Sequence, residues 1–343
     1  MKNLLNTLYI LTPDRYLSLD GENAVINSGG SPIARVPLHN LERIMVFGYS
    51  GASPALMGKC VQEGIELVFM KPNGSFLARV EGGVSVNVIL RRQQYRIADD
   101  KERSLAIARI MISGKIFNAK QSAERTARDH SLRIDPEKFS TKAGFLKSSV
   151  NNALKAATAD ELRGIEGEAA SVYFSLLDDM ILQQERDFKF TVRSKRPPLD
   201  NVNAMLSFAY SLATGMCCSA LESVGLDPYV GFFHTDRPGR RSLALDLVEE
   251  FRVPMCDRFV LSLINKKIVT NKDFTHREDG AVLLTDDGRK TFIQAWQKRK
   301  DEIVTHPYLK EKMKWGLLPY VQALLLARLI RGDIDMYPVF MWK

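Results

Sequence analysis

The hydrophobic period of this chain changes once, near residue 86, and that change constrains the fold more than any other feature. Before it, LYILT, YLSLD, AVINS, ARVPL, RIMVFG, IELVFM and FLARVEG are short runs rich in β-branched and aromatic residues, punctuated by Gly, Asn, Pro or Asp. Such runs read as strands joined by turns. One helix is expected between Ser53 and Glu63, with Ser53-Pro54 as its cap and first turn. From residue 86 onward apolar residues recur at three- and four-residue spacing, the mark of amphipathic helices. Further helices are expected over 136–157, 159–184, 201–225, 242–265, 283–300 and 303–331. The fold class is therefore α+β: a small β-rich N-terminal domain, 1–85, followed by a larger all-α domain, 86–343.

Several function classes drop out at once. RIMVFG, helix, IELVFM is a strand–helix–strand order with Gly48 and Gly51 at its first junction, but neither GxGxxG nor GxxxxGK[ST] is present. Those glycines read as turn formers. Cys60, Cys217, Cys218 and Cys256 form no CxxC pair and no zinc spacing, so buried free thiols are expected. No uninterrupted apolar run approaches the roughly 20 residues of a membrane helix. The opening MKNLLNTLYILTPDRYLSLD lacks a small-residue cleavage pattern, and a cytoplasmic protein without a membrane anchor is expected. The chain carries a formal charge of +8, placed unevenly. Residues 1–90 hold seven basic side chains (Lys2, Arg15, Arg35, Arg43, Lys59, Lys71, Arg79) and seven acidic ones (Asp14, Asp20, Glu22, Glu42, Glu63, Glu66, Glu81). The whole excess thus lies in 91–343, where a nucleic-acid footprint would have to sit.

Two segments carry the chemistry. GIEGEAASVYF (164–174) places Glu166 early in a helix, beside the apolar face of Ala169, Ala170, Tyr173 and Phe174. A carboxylate there is partly desolvated, which is costly unless a cation compensates. Glu168 points about 200° away around the helix and does not share that site. GFFHTDRPGRRSLALDLVEEFRVP (231–254) places His234 after an apolar run and before a turn. Ser242 can then cap a helix that puts Asp246 and Glu249 on one face at i, i+3. Glu166, His234 and Glu249 are candidate ligands for one divalent ion, and hard carboxylates with a single imidazole suit Mg²⁺ or Mn²⁺. The competing explanation is ordinary: acids in a first helical turn and a turn histidine.

Arginines surround these segments. Arg237, Arg240 and Arg241 follow His234; Arg91, Arg92 and Arg96 share a helix; Arg193, Lys195 and Arg196 lie in one loop. Guanidinium forks suit phosphates and position a nucleic-acid backbone without reading bases. Lys298-Arg299-Lys300 reads as a solvated helix end.

GIEGEAASVYF, RPPLDNVNAMLSFAYSL (196–212) and the 231–252 block, in this order and at these separations, strongly resemble three blocks of the CRISPR-associated adaptation integrase, the nuclease that inserts new spacers into an array. The resemblance covers essentially the whole chain, and the opening residues are similar to the version in subtype I-C systems. It implies metal ligation by Glu166, His234 and Glu249. The last is one methylene longer than the Asp of some members, which leaves Asp246 either to share the metal or to hydrogen-bond nearby. It implies DNA contact at Arg237 and structural support at Asn203.

The resemblance implies a mechanism as well: a protospacer 3′-OH attacks a phosphodiester at the leader–repeat boundary, and a second attack follows at the far end of the repeat. The implied assembly is a homodimer formed through the β-rich domains. Two such dimers flank a dimer of a small ferredoxin-like adaptation subunit on double-stranded DNA. A protospacer-processing exonuclease is an additional expected partner. Two other readings stay open on the residues alone, a branched-DNA repair nuclease and a non-catalytic DNA-binding scaffold.

Overall fold

The computed structural model describes residues 6–12, 14–71, 76–82 and 88–342. The first strand, β1 (Thr7–Ile10), is followed by a meander of β2 (Arg15–Asp20), β3 (Asn23–Ser28) and β4 (Ser31–Pro37). Next come β5 (Arg43–Phe47), α1 (Pro54–Glu63), β6 (Glu66–Met70) and β7 (Phe76–Arg79). The strand–helix–strand order is a parallel crossover: β1, β5 and β6 run parallel, with β7 antiparallel at the edge, in the order β1-β5-β6-β7. α1 begins as its sequence dictates, since the Ser53 hydroxyl accepts from the Leu56 N–H at 3.2 Å with Pro54 in the first turn. It ends at Gly64, whose φ of 69° lies in the left-handed region that glycine adopts without strain.

The period of two along β5 and β6 makes them a wall between two cores. Ile44, Val46 and Leu67 pack with Leu17, Leu38, Leu56 and Cys60 inside the N-terminal layer. Their alternates Met45, Phe47, Val68 and Met70 belong to the core of the helical body. Strands covered on both faces read as continuous apolar runs, as RIMVF and ELVFM do. The expected boundary at residues 85–86 lies outside the described residues, as do the first five residues. The two layers share this wall and are further tied by Arg43, Glu66 and Ser219, which contact one another, and by Arg79 with Glu222.

The helical body comprises α2 (Val88–Asp99), α3 (Lys101–Asp129), α4 (Pro136–Lys155), α5 (Ala159–Phe174), α6 (Asn201–Ser223), α7 (Ser242–Val248) and α8 (Arg258–Asn265). The helical run expected from residue 86 breaks at Asp100, whose carboxylate caps α3 by accepting from the N–H groups of Glu102 and Arg103 at 3.0 and 3.1 Å. α6 is long and apolar enough to cross a membrane, but 67% of its most apolar window is buried in the protein, where it is the central core helix. The four cysteines are buried and free, as expected.

The helix expected over 159–184 ends at Phe174, and four other expectations need correction. The second domain is mostly but not wholly helical, because β8 (Phe274–His276) and β9 (Val282–Leu284) form a hairpin before α9 (Asp286–Asp301). The helix expected over 303–331 starts only at Leu318: β10 (Ile303–Thr305) and β11 (Lys312–Lys314) pair first, and α10 (Leu318–Arg331) follows. The stretch expected as one helix over 242–265 carries a wide π-type turn over Arg252–Asp257 between α7 and α8, at Pro254, which has no N–H to donate. Lys298-Arg299-Lys300 is not a solvated end: Lys300 is buried, and Arg299 stacks over the Trp315 ring at 4.3 Å.

Candidate active site

Three elements converge where the sequence placed its candidates. Glu166 lies on α5, Glu249 caps the C-terminus of α7, and His234 sits in the loop ahead of α7. The His234 loop is fixed from both sides. Gln94 on α2 donates to the carbonyls of Asp227 and Val230, both at 2.8 Å, and the Ser104 hydroxyl on α3 donates to the Phe232 carbonyl at 2.9 Å. Gly231 is required here, because a Cβ would lie 2.8 Å from Asp246 Oδ2 and 2.9 Å from the backbone carbon of Ser242.

Asp246 organises the histidine. It is 1% exposed, and both its oxygens are occupied. Oδ2 accepts from the N–H groups of Phe232 and Phe233 at 2.6 and 3.0 Å, while Oδ1 accepts from the His234 N–H at 2.9 Å and faces His234 Nδ1 at 2.6 Å. Of the two roles open for Asp246, this is the hydrogen-bonding one. With Nδ1 turned to Asp246, Nε2 points the other way, 4.0 Å from Glu249 Oε1. Ser242 does not cap α7; it is the first helical residue, and its hydroxyl donates to the Thr235 carbonyl at 3.3 Å.

Glu249 is 3% exposed, yet burial does not win. Burial raises its pKa, but Arg252, Lys115 and His234 outweigh that and bring it down to about 2. The Arg252 guanidinium stands 3.1 Å from Oε1, and the Lys115 ammonium 2.6 Å from Oε2. Lys115 also contacts Glu166, so one ammonium bridges two of the three candidates. As the side chains stand, no three His, Cys, Asp or Glu residues close on one point among the described residues. Glu168, which points away from Glu166 around α5, is exposed.

Lys115 and Arg252 are what sequence reasoning missed. A lysine in a 29-residue helix reads as solvated, and its one signal is its place on the buried stripe, three residues after Ile112 and four before Ala119. Behind them, Tyr210 lies between the Arg193 and Arg252 guanidinium groups, 5.3 and 4.9 Å from its ring centre, and its hydroxyl donates to Asp257 at 2.5 Å. A cavity of ≈ 30 Å³ lined by Lys115, Glu166, Tyr210, Arg252 and Asp257 has room for a water-sized guest.

The expected phosphate-binding arginines divide. Arg193, Arg196, Arg241 and Arg252, with Lys195, line a cleft of ≈ 320 Å³ between the β-sheet and α6. Lys195 is held below its usual pKa, first by partial desolvation and then by the positive charge of Arg252, Arg193 and Lys115. Arg193 departs from a free DNA contact: it donates to Asn203 Oδ1 at 2.6 Å and to Ser207 at 3.0 Å. Asn203 is fully buried and also donates to the Val192 carbonyl at 2.8 Å, so it staples the 192–194 loop without touching the three candidates. Arg241 stacks 3.8 Å over the Phe76 ring. Arg237 is exposed on the turn after His234, and Arg240 is half-buried there, donating to the Thr235 carbonyl at 3.3 Å. Arg91 and Arg92 sit on α2, the helix whose Gln94 clamps the His234 loop, with Arg92 exposed.

Residues 8–298 match the family described as CRISPR associated protein Cas1. A CRISPR-associated endonuclease Cas1 of Chlorobaculum tepidum is 48% identical over 343 residues, the full length of both chains. A CRISPR-associated exonuclease Cas4/endonuclease Cas1 fusion of Geobacter sulfurreducens is 35% identical over 98% of this chain and 60% of its own length. Among solved structures, a Cas1 protein from Thermotoga maritima superposes with a TM-score of 0.81 at 23% identity, over 98% of this chain and all of that one. A casposase bound to integration product gives 0.83 at 22%, over 98% and 94%. A Cas6-RT-Cas1–Cas2 complex gives 0.82 at 19%, over the whole of this chain and 36% of that one. The structural likenesses establish a shared fold, and the family match with the full-length relative establishes descent: this chain belongs to the Cas1 family of CRISPR-associated proteins.

Proposed function

We propose that this protein is a divalent-metal-dependent DNA endonuclease and integrase that joins protospacer 3′ ends to a CRISPR array at the leader–repeat boundary. The observation that carries the reading is that one ammonium bridges Glu166 and Glu249 while His234 Nε2 stands 4.0 Å from Glu249, at the edge of an arginine-lined cleft, in a Cas1-family chain. The integration-product complex of the similarly folded casposase supports strand transfer as chemistry that this fold performs.

The residues fit Mg²⁺ or Mn²⁺. The donor set is hard, two carboxylates and one imidazole, and a cation already stands between the carboxylates. With Nδ1 turned to Asp246, the His234 ring directs Nε2 toward Glu249. The carboxylate behind the ring is the support a ligating histidine requires. Glu166, His234 and Glu249 would hold the ion, which when bound supplies Lewis-acid stabilisation of charge building on the phosphoryl oxygens and favours ionisation of the attacking hydroxyl.

The protein's own residues do the rest. Asp246 fixes the His234 ring. Arg252, braced on Tyr210, keeps Glu249 ionised. Arg196, Arg237 and Arg241 neutralise backbone phosphates and align the 3′-OH with the scissile bond. One P–O bond forms as another breaks and the displaced oxygen leaves as a 3′-OH, so the exchange needs no nucleotide hydrolysis.

The proposed partners are double-stranded DNA, a second copy of the chain and a small ferredoxin-like adaptation subunit, with support from the Cas1–Cas2 complex. A Cas4-type exonuclease is a further proposed partner, supported by the Geobacter fusion. The test is to supply a fluorescent protospacer, the small subunit and Mn²⁺ to a plasmid carrying leader and repeat. Insertion at the repeat boundary bears out the proposal. Cutting of branched DNA without target preference, or binding alone, would replace it with a repair nuclease or a scaffold.

A further inference from the structure

We infer that Lys115 is the resident counter-ion of the metal-free centre: its ammonium holds Glu166 and Glu249 together and is exchanged for the divalent cation on loading. This rests on the proposed metal site and adds to it a residue that sets the site's affinity.

Glu249 is almost fully buried and Glu166 lies 23% exposed by its side chain. Bringing two carboxylates toward one point in a poorly solvated place is unfavourable without positive charge between them. Among the described residues, Lys115 is the one ion-paired with both, touching Glu166 and standing 2.6 Å from Glu249, with its own side chain 13% exposed. It reaches them from α3, an element carrying neither carboxylate, so the three-residue cluster joins α3, α5 and the end of α7.

Arg252 does not play this part. Its guanidinium pairs with Glu249 but is packed 4.9 Å over the Tyr210 ring, and a planar fork held on an aromatic face is fixed in place. A lysine is different: a compact charge on four methylenes can swing away without disturbing its helix. The ≈ 30 Å³ cavity beside it, lined also by Tyr210 and Asp257, offers the displaced ammonium space and the Asp257 carboxyl group.

Two consequences run in opposite directions, and that separates this role from simple structural support. Removing the ammonium weakens the metal-free protein, because Glu166 and Glu249 then face each other with less compensation. The same removal strengthens metal binding, because the divalent ion no longer competes with a resident cation.

The experiment measures metal-free melting temperature and Mn²⁺ affinity, the latter by the loss of the free-ion EPR signal. It uses wild type, Lys115→Met, Lys115→Arg and Glu166→Gln. Lys115→Met should melt below wild type in EDTA and gain more from saturating Mn²⁺. It should also bind Mn²⁺ on the order of 10-fold more tightly. Lys115→Arg, which keeps the charge on a stiffer group, should bind Mn²⁺ more weakly than wild type. Unchanged or weaker Mn²⁺ binding by Lys115→Met overturns the inference. If that variant does not fold, Mn²⁺ binding by Lys115→Arg at least as tight as wild type overturns it instead. Wild-type Mn²⁺ binding that is indifferent to Glu166→Gln would overturn the metal site itself, and the counter-ion role with it.

Discussion

At the scale of single residues, Gly231 is a position beside the candidate ligands where no side chain fits. It lets the 231–234 run press against α7 so that three consecutive N–H groups reach one carboxylate. Gly231→Ala should destabilise the fold by about 1–3 kcal/mol, the usual cost of an overpacked contact, and should lower strand transfer by displacing His234. Thermal melting with a transfer assay checks both. Asp246→Asn replaces one of two fully used acceptors with an NH₂ group, which faces N–H donors. Metal affinity or activity should fall 10- to 100-fold with DNA affinity retained, as measured by Mn²⁺ titration and filter binding. The parts of this site legible in sequence were the groups whose chemistry is unusual in context, an acid on an apolar helix face and a histidine ending an apolar run. Lys115 and Arg252 were not legible, because a lysine in a helix and an arginine after an acidic pair read as solvent-facing. Only the fold turns them inward.

At the scale of elements, α3 carries more than its period of 3.6 reveals. Its Asn118 is fully buried and ties two distant segments together: it donates to the carbonyls of Glu250 and Phe340 at 2.9 and 2.8 Å and accepts from the Trp342 N–H at 2.8 Å. The segment after α10 is thereby docked against α3 beside the residue that follows Glu249. Gly114 allows it, since a Cβ there would meet Val339 at 2.3 Å. Asn118→Ala leaves buried backbone groups unpaired and should lower stability by about 1–3 kcal/mol, with faster proteolysis within 333–342; a denaturant melt and limited digestion decide it. An apolar ending alone did not reveal whether it packs on its own chain, because burial depends on Asn118, some 220 residues earlier. The hairpin at 303–314 escaped for a related reason. Its strands are three residues long, too short for a period of two to emerge beside the strong helical pattern of 318–331.

At the scale of the whole molecule, a network buried behind the site makes stability depend on pH. Burial raises Glu250 to about 7, against hydrogen bonds from Tyr337, the Phe340 N–H and Gln322 that act to lower it. Burial likewise raises Asp257 to about 6, with Tyr210 and Arg252 opposing. A carboxyl raised on folding holds a proton that the unfolded chain has already lost. Stability therefore falls as pH rises from the unfolded value toward the folded one, over 4.5 to about 7 for Glu250 and 3.8 to about 6 for Asp257. Glu249, lowered to about 2, acts with the opposite sign but only below pH 4.5. Between pH 5 and roughly 7.5 these two groups should cost the metal-free protein on the order of 4 kcal/mol, more than half of it from Glu250, and Glu250→Gln should flatten that slope. Melting in EDTA across the window would show it. The two-layer plan behind this behaviour was legible from one change of period, whereas the wall of β5 and β6 serving both cores was not, because a continuous apolar run does not say what covers each face.

The proposed function requires that Glu166 and His234 act in chemistry and not in holding DNA. The measurement that tests it most directly is parallel determination of DNA affinity and Mn²⁺-dependent strand transfer for wild type, Glu166→Ala and His234→Ala. Transfer should be lost in both variants, with DNA affinity within a few-fold of wild type. Transfer that persists in either variant, or that falls only in step with DNA affinity, contradicts the proposed function.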